Sequence, residues 1–261
     1  MKELNCLRYL EKRGLPDLPE ARQQMLASLR AEGHSAATLA AMAVVPRHAF
    51  APPGLWRLGY AMMDLWGPTQ YVPSPRTIAV MLDNLKLETA QSVLEYGTES
   101  GYLSALLGLL VERVYTVELD PAKLWLSSDA FRELGLDNIR QKFADGRLGW
   151  PELAPFDRIV IPFAIPWIQD EFSRQAAAAG AIMAPVGPYA GPQRLTRSDL
   201  SPLGPLITDL GQCTMPPLTG VWAGVWAGAA AMPMPSLAMA DETAADDAAT
   251  PAGGAWQVWA A

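Results

Sequence analysis

Cysteine and histidine are scarce, two of each in 261 residues. Cys6 and Cys213 stand far apart, with no Cys-x-x-Cys pair and no histidine cluster beside them, which argues against a disulfide framework and a zinc site. Basic residues are short as well. The formal net charge is −7, and beyond Gly220 the chain has four acidic residues and no lysine or arginine, which leaves the body near −3. Such a balance does not attract phosphate backbones, so the expected partners are peptides and small molecules rather than nucleic acid. The amino-terminal stretch MKELNCLRYLEKRG lacks a continuous apolar run of signal-peptide length, which predicts a cytoplasmic protein. Val221 to Ala240 carries no charge, yet it is rich in alanine, glycine and methionine, is interrupted by Pro233 and Pro235 and has no basic flank. That composition inserts poorly into a bilayer, and a low-complexity tail is expected rather than a membrane span.

What is present is enough apolar sequence, 50% of positions, for one substantial core. Met25, Leu26 and Leu29, then Leu39, Met42 and Val45, recur at helical spacing on either side of Gly33 and predict a helical lead-in. A proline-rich connection runs from Pro46 to Pro75, and Thr77 to Leu87 reads as another amphipathic helix. From Ser92 the pattern becomes short β-type runs alternating with helices. The runs are Val93–Glu95, Val114–Val117, Ile139–Phe143, Ile159–Ile161 and Ala181–Val186, and the helical candidates are Tyr102–Leu110, Pro121–Leu134 and Ile168–Ala178. This alternation specifies an α/β fold, a mostly parallel sheet with helices on both faces and a ligand at the carboxyl ends of the strands. Trp125, Trp150 and Trp167 read as core-completing side chains. The expected organisation is a helical lead-in and loop over 1–75, the α/β domain over 76–220 and a flexible alanine-, proline- and acid-rich tail over 221–261. The tail's VWAGVWAG and AWQVWAA pieces offer a route to docking on the domain or to self-association.

The segment VLEYGTESGY, Val93 to Tyr102, has a strand ending in an acidic residue, a glycine-bearing turn and a helix start. A helix amino terminus presents free N–H groups to an anionic ligand group, and Gly97 and Gly101 permit the turn and a close backbone approach. Glu118 closes the next strand in VYTVELD, where a carboxylate can accept hydrogen bonds from ribose hydroxyls. Asp145 follows the third strand in FADGRLGW. Three acidic positions at successive strand ends point to an adenosine-containing ligand.

Several motifs, in order, resemble those of the protein-L-isoaspartate O-methyltransferases. VPRHAF, Val45 to Phe50, is similar to the VPRHxF-type signature, and VLEYGTESGY is similar to VLEIGTGSGY. DGRLGWPELAPFDRIVI, Asp145 to Ile161, resembles DGxxGWPExAPYDxIxV, and the likeness continues through Pro185–Gly187 and Gln193–Leu195, over roughly residues 20–220. The resemblance implies a class I methyltransferase fold, Rossmann-like, with a seven-stranded sheet and one antiparallel strand near its edge. It implies S-adenosyl-L-methionine as cofactor, with the methionine moiety at Glu95, Gly97, Thr98, Glu99, Gly101 and Tyr102, the ribose at Glu118 and Leu119, and the adenine amino group at Asp145 and Gly146. Members methylate the free α-carboxylate left when an aspartyl linkage migrates to the side chain, and the ester then collapses to a succinimide that can reopen to normal aspartate. No metal is implied.

Two motifs depart from the pattern. Glu99 stands where the family's turn has its middle glycine. Directed inward it would crowd the cofactor and repel its carboxylate; directed to solvent it would cost little. In the acceptor loop, TQYVPSPRTIA replaces GQTISQPYIVA, so Pro73 takes the place of the family serine and Ser74 that of the glutamine, with Gln70 and Pro75 as anchors. Ser74 and Gln70 are therefore the candidate catalytic residues. Just upstream, GYAMMDLWG is one residue shorter than the AYEDxPLPI-like segment. Arg47 and His48 are expected to support the loop, and Phe163, between Pro162 and Pro166, replaces the small residues the family has after the fourth strand. Three functions follow: a methyltransferase acting on isoaspartyl peptides or a related carboxylate, one with a different acceptor, and a catalytically silent binding or scaffold relative.

Overall fold

Capping residues set the first helices. The computed structural model describes residues 4–218 apart from 69, 146–147 and 189–190. Helix α1 (Cys6–Arg13) ends at Gly14, which turns left-handed at φ 63°. Helix α2 (Pro19–Ala31) begins with proline, whose missing N–H has no partner to lose at that position. Helix α3 (Ala36–Val44) is capped by the Ser35 hydroxyl, which accepts from the Thr38 N–H. Met25, Leu29, Leu39, Met42 and Val45 are all buried, as their spacing predicts, whereas Leu26 is only partly so.

The proline-rich connection is more ordered than its composition suggests. It holds 3-10 turns at Arg47–Phe50 and Trp56–Leu58 and an antiparallel hairpin of β1 (Leu65–Trp66) and β2 (Tyr71–Val72). Helix α4 spans Pro75–Asn84 and starts earlier than the expected Thr77. Ser74 caps it, its hydroxyl accepting from the Thr77 N–H at 3.2 Å.

The sheet comprises β3 (Ser92–Tyr96), β4 (Arg113–Glu118), β5 (Ile139–Phe143), β6 (Phe156–Val160), β7 (Ala176–Val186), β8 (Gln193–Asp199) and β9 (Leu206–Cys213), in the order β5-β4-β3-β6-β7-β8-β9. The first five pair in parallel; β8 runs antiparallel to both neighbours, next to the edge. Helices α5 (Tyr102–Leu110) and α6 (Pro121–Leu134) match the expected bounds. Asp120 caps α6 by accepting from the Ala122 N–H at 2.8 Å, and Gly135 ends it at φ 80°.

Strand alternation sorts the core into two layers. Val93, Val114, Val160 and Met183 join one apolar cluster with α1–α5, while Leu94, Tyr115, Ile159 and Ile182 join the other. Strand order reverses between β3 and β6, and the crevice of such a sheet lies at that switch point.

Three expectations need correction. The helix expected over Ile168–Ala178 is α7, only Asp170–Gln175, because the alanine run that follows pairs with β6 from Phe156↔Ala176 to Val160↔Met183. Alanine's helix preference amounts to less than about 1 kcal/mol per residue and yields to a ladder. β8 and β9 also escaped notice, since their charged, glycine-containing sequences lack a clean alternation. Finally, Trp125 and Trp167 are 68% and 55% exposed, and only Trp150 joins a core layer, edge-on to Tyr115 at 5.7 Å.

Candidate functional site

Glu95, two residues before the turn, shares a strand face with Val93. That face meets α5, so the Glu95 carboxyl is buried, 1% exposed, and its Oε2 accepts from the Ser104 hydroxyl. Its Oε1 has no hydrogen-bond partner among the described residues. Burial, opposed by the Ser104 and Thr116 hydroxyls and aided by the nearby Glu118 carboxylate, pushes the Glu95 carboxyl up to about 8. Beside it, the Thr98 and Thr116 hydroxyls bond each other at 2.7 Å.

Glu118 ends β4, the strand next to β3. Its Oε1 accepts from the N–H groups of Leu119 (2.8 Å) and Asp120 (2.9 Å), and its Oε2 from the N–H of Glu99 (2.9 Å). A carboxylate has about four lone-pair positions, so about one, on Oε2, is left for a ligand. Asp145 lies just past the end of β5, where its carbonyl accepts from the Leu148 N–H at 3.0 Å; Gly146 lies outside the described residues.

The turn itself has Gly97 at φ 86° and Gly101 at φ 83°. A Cβ on Gly101 would come within 3.1 Å of the Phe131 ring, and one on Gly97 within 2.3 Å of the Phe163 ring. Glycine is needed at both places, at Gly97 because Phe163 packs directly on the turn. Tyr102 opens α5, fully buried under the Arg47 guanidinium, which lies 5.9 Å from its ring centre.

An acidic residue near the carboxyl end of each of three adjacent parallel strands, with a glycine turn after β3 at the switch point, is an arrangement suited to a nucleoside bearing a positively charged group. The sequence profile of the protein-L-isoaspartate(D-aspartate) O-methyltransferase family matches residues 20–220. The chain belongs to that family. Protein-L-isoaspartate O-methyltransferase 1 of Syntrophobacter fumaroxidans is 35% identical over 196 residues, 75% of this chain and 90% of the relative. The Gloeobacter violaceus enzyme of that name is 39% identical over 178 residues, 67% and 87% of the two chains. A Plasmodium falciparum structure assigned to the same methyltransferases, solved with S-adenosyl-L-homocysteine, is 15% identical and superposes with a TM-score of 0.65 over 76% of this chain and 98% of that one, a likeness of fold.

In this family member the acceptor-side candidates are held in structural bonds. Ser74 is buried as the cap of α4, its hydroxyl 2.9 Å from that of Thr77 and its N–H donating to Asp64 Oδ1 at 2.6 Å. The Gln70 amide donates to the Phe50 carbonyl at 3.1 Å. Arg47, fully buried, donates to the carbonyls of Gly59, Met63 (3.2 Å) and Pro73 (2.8 Å) and so ties the 3-10 turn to the loop before α4. His48 instead faces the lead-in: its Nε2–H donates to the Pro16 carbonyl and its Nδ1 accepts from the Tyr60 hydroxyl, both at 3.0 Å. Burial lowers the pKa of His48, which keeps it neutral.

The sequence reading overlooked two residues. Asp64, its carboxyl raised above the usual range by burial, receives the Ser74 N–H, and its only signal was its place just before the hairpin. Lys123, in the first turn of α6, pairs with the Glu99 carboxylate, which also accepts the Tyr71 N–H at 3.2 Å. Glu99 is thus neither turned to solvent nor unpaired, which weakens the case that its charge obstructs a cofactor. Burial, offset in part by Lys123, raises its carboxyl above the ordinary value.

Proposed function

We propose that this protein transfers a methyl group from S-adenosyl-L-methionine to the free α-carboxylate of isoaspartyl residues in peptides and proteins. The observation that carries the reading is the set of strand-end carboxylates around the Gly97 turn, in a chain of this family. The residues fit the cofactor: Glu95 has a buried carboxyl oxygen without a hydrogen-bond partner and Glu118 an open lone pair. We assign the methionine moiety to Glu95, Gly97, Thr98, Glu99, Gly101 and Tyr102, the ribose to Glu118 and Leu119, and the adenine to Asp145 and Gly146. When bound, the cofactor supplies a methyl group on a sulfonium, already activated for transfer.

The acceptor carboxylate is ionised at pH 7, so the site needs no general base. What the chain supplies is orientation, which contributes on the order of 7 to 11 kcal/mol in favourable cases. Arg47 holds the Pro73 carbonyl, Asp64 holds the Ser74 N–H, and Gln70 braces the same loop from Phe50. We place the acceptor against this loop, with Gln70 and Ser74 as positioning groups.

Phe163 on Gly97, together with Pro73 in the loop, favours a second reading in which the methyltransferase acts on a different acceptor. Isothermal titration with S-adenosylmethionine and S-adenosylhomocysteine, followed by methyl transfer to an isoaspartyl peptide, separates the two. Binding with transfer supports the first, binding without transfer supports the second, and no binding removes both. We further assign residues 1–75 to the lead-in and loop and 76–220 to the cofactor domain, in a cytoplasmic protein. No helix among the described residues is long and apolar enough to cross a membrane. The tail and its Val221–Ala240 stretch lie outside the described residues.

A further inference from the structure

Glu99 is one of two non-glycine residues with positive φ among the described residues, at 49°. Holding a side-chain-bearing residue there costs roughly 1 to 2 kcal/mol, so its surroundings must hold it in place. They do so from three sides. Its N–H donates to Glu118 Oε2 at 2.9 Å, its Oε2 accepts from the Tyr71 N–H at 3.2 Å, and its Oε1 pairs with Lys123 Nζ. The side chain is 16% exposed and that of Lys123 22%, so this pair is better shielded than a surface ion pair. Lys123 lies in the first turn of α6, where the helix dipole disfavours a cation, and the Glu99 carboxylate offsets that.

The residue therefore joins three elements the function uses: the end of β4, the start of α6, and the hairpin leading into the acceptor loop. Tyr71 is in β2, three residues before Ser74, and its ring packs on Trp66 of β1 at 4.4 Å. A ligand that engages Glu118 also steadies the acceptor of the Glu99 N–H, and the Glu99 carboxylate passes that restraint to the hairpin.

We propose that Glu99 is a positioning residue that latches the β1–β2 hairpin onto the cofactor turn, so that cofactor occupancy and order of the acceptor loop are coupled. The proposal rests on the functional reading above for the identity of the two ligands. Its physical basis is linkage: a ligand that fixes a shared element lowers the cost of ordering it for the second. The glycine usual at this position in the family has no side chain with which to make the latch.

The test compares wild type with Glu99→Gly, Glu99→Gln and Lys123→Met. Glycine suits a φ of 49°, so the first variant relieves the backbone and folding is not at risk. Amide hydrogen exchange at Tyr71 is measured with and without S-adenosylhomocysteine, together with affinity for an isoaspartyl peptide at saturating S-adenosylhomocysteine. In wild type, S-adenosylhomocysteine should raise Tyr71 protection. In Glu99→Gly, protection should fall about tenfold and lose that response, and peptide affinity at saturating S-adenosylhomocysteine should fall at least about fivefold. Glu99→Gln, whose amide oxygen still accepts the Tyr71 N–H, should recover most of the protection, and Lys123→Met should fall between. Unchanged Tyr71 protection in Glu99→Gly overturns the latch, and lost protection with unchanged peptide affinity overturns its positioning role. If wild type binds no isoaspartyl peptide, the assigned acceptor fails, while the exchange response to S-adenosylhomocysteine still decides the latch.

Discussion

Replacing Glu95 by glutamine should stabilise the ligand-free protein, by an amount that grows with pH. The carboxyl titrates near 4.5 when exposed and is pushed up to about 8 in the fold, chiefly by burial. Between those values the folded state holds a proton that the unfolded state releases. Stability from the neutral carboxyl is therefore complete below 4.5 and is lost as pH rises toward 8. At about 1.4 kcal/mol per unit, the loss is ~3 kcal/mol by pH 7 and on the order of 5 kcal/mol above pH 8. Glutamine copies the neutral acid and keeps an oxygen for the Ser104 hydroxyl, so it loses nothing over this range. Urea unfolding of both proteins from pH 5 to pH 9 isolates the effect, since other titrating groups cancel in the difference. The difference should climb in the variant's favour as pH rises. A difference that stays flat would mean that Glu95 is ionised in the folded protein and that its burial is compensated in a way the reasoning omits.

Three further outcomes are expected. Glu118→Ala should weaken S-adenosylmethionine binding at least about tenfold by titration, because a hydrogen bond to a charged group contributes about 1.5 to 3 kcal/mol; unchanged affinity in a folded variant would sink the ribose assignment. Arg47→Met leaves the carbonyls of Gly59, Met63 and Pro73 without their donor and should lower urea-unfolding stability by about 3 kcal/mol or more, with a loss under about 1 kcal/mol contradicting the buried fork. Phe163→Ala should destabilise by about 3 to 5 kcal/mol, and it should raise methyl transfer to bulkier carboxylates relative to small ones. Identical acceptor ratios in the two proteins would show that Phe163 does not shape the pocket.

The sequence by itself determined the parts that depend on local chemistry. Short β-type runs alternating with helical segments located β3 to β6, the second half of β7, α5 and α6, and the spacing of Glu95, Glu118 and Asp145 pointed to an adenosine-containing ligand, because each strand–turn–helix unit carries its signal within a few residues. Only the tertiary structure decided where long-range pairing overrides local preference. The alanine run after α7 became strand because β6 was there to pair with it, and β8 formed against β7 and β9 against β8 without a periodicity of their own. The state of Glu99 belongs to the same class. Its partners, Tyr71 and Lys123, are 28 and 24 residues away in the chain, and no local pattern says whether a side chain separated that far from its partners will meet them. A charge that looks obstructive in the linear motif is, once the hairpin and α6 close around it, a paired and bonded group, because the cost of burying a carboxylate depends on the partners that the fold supplies.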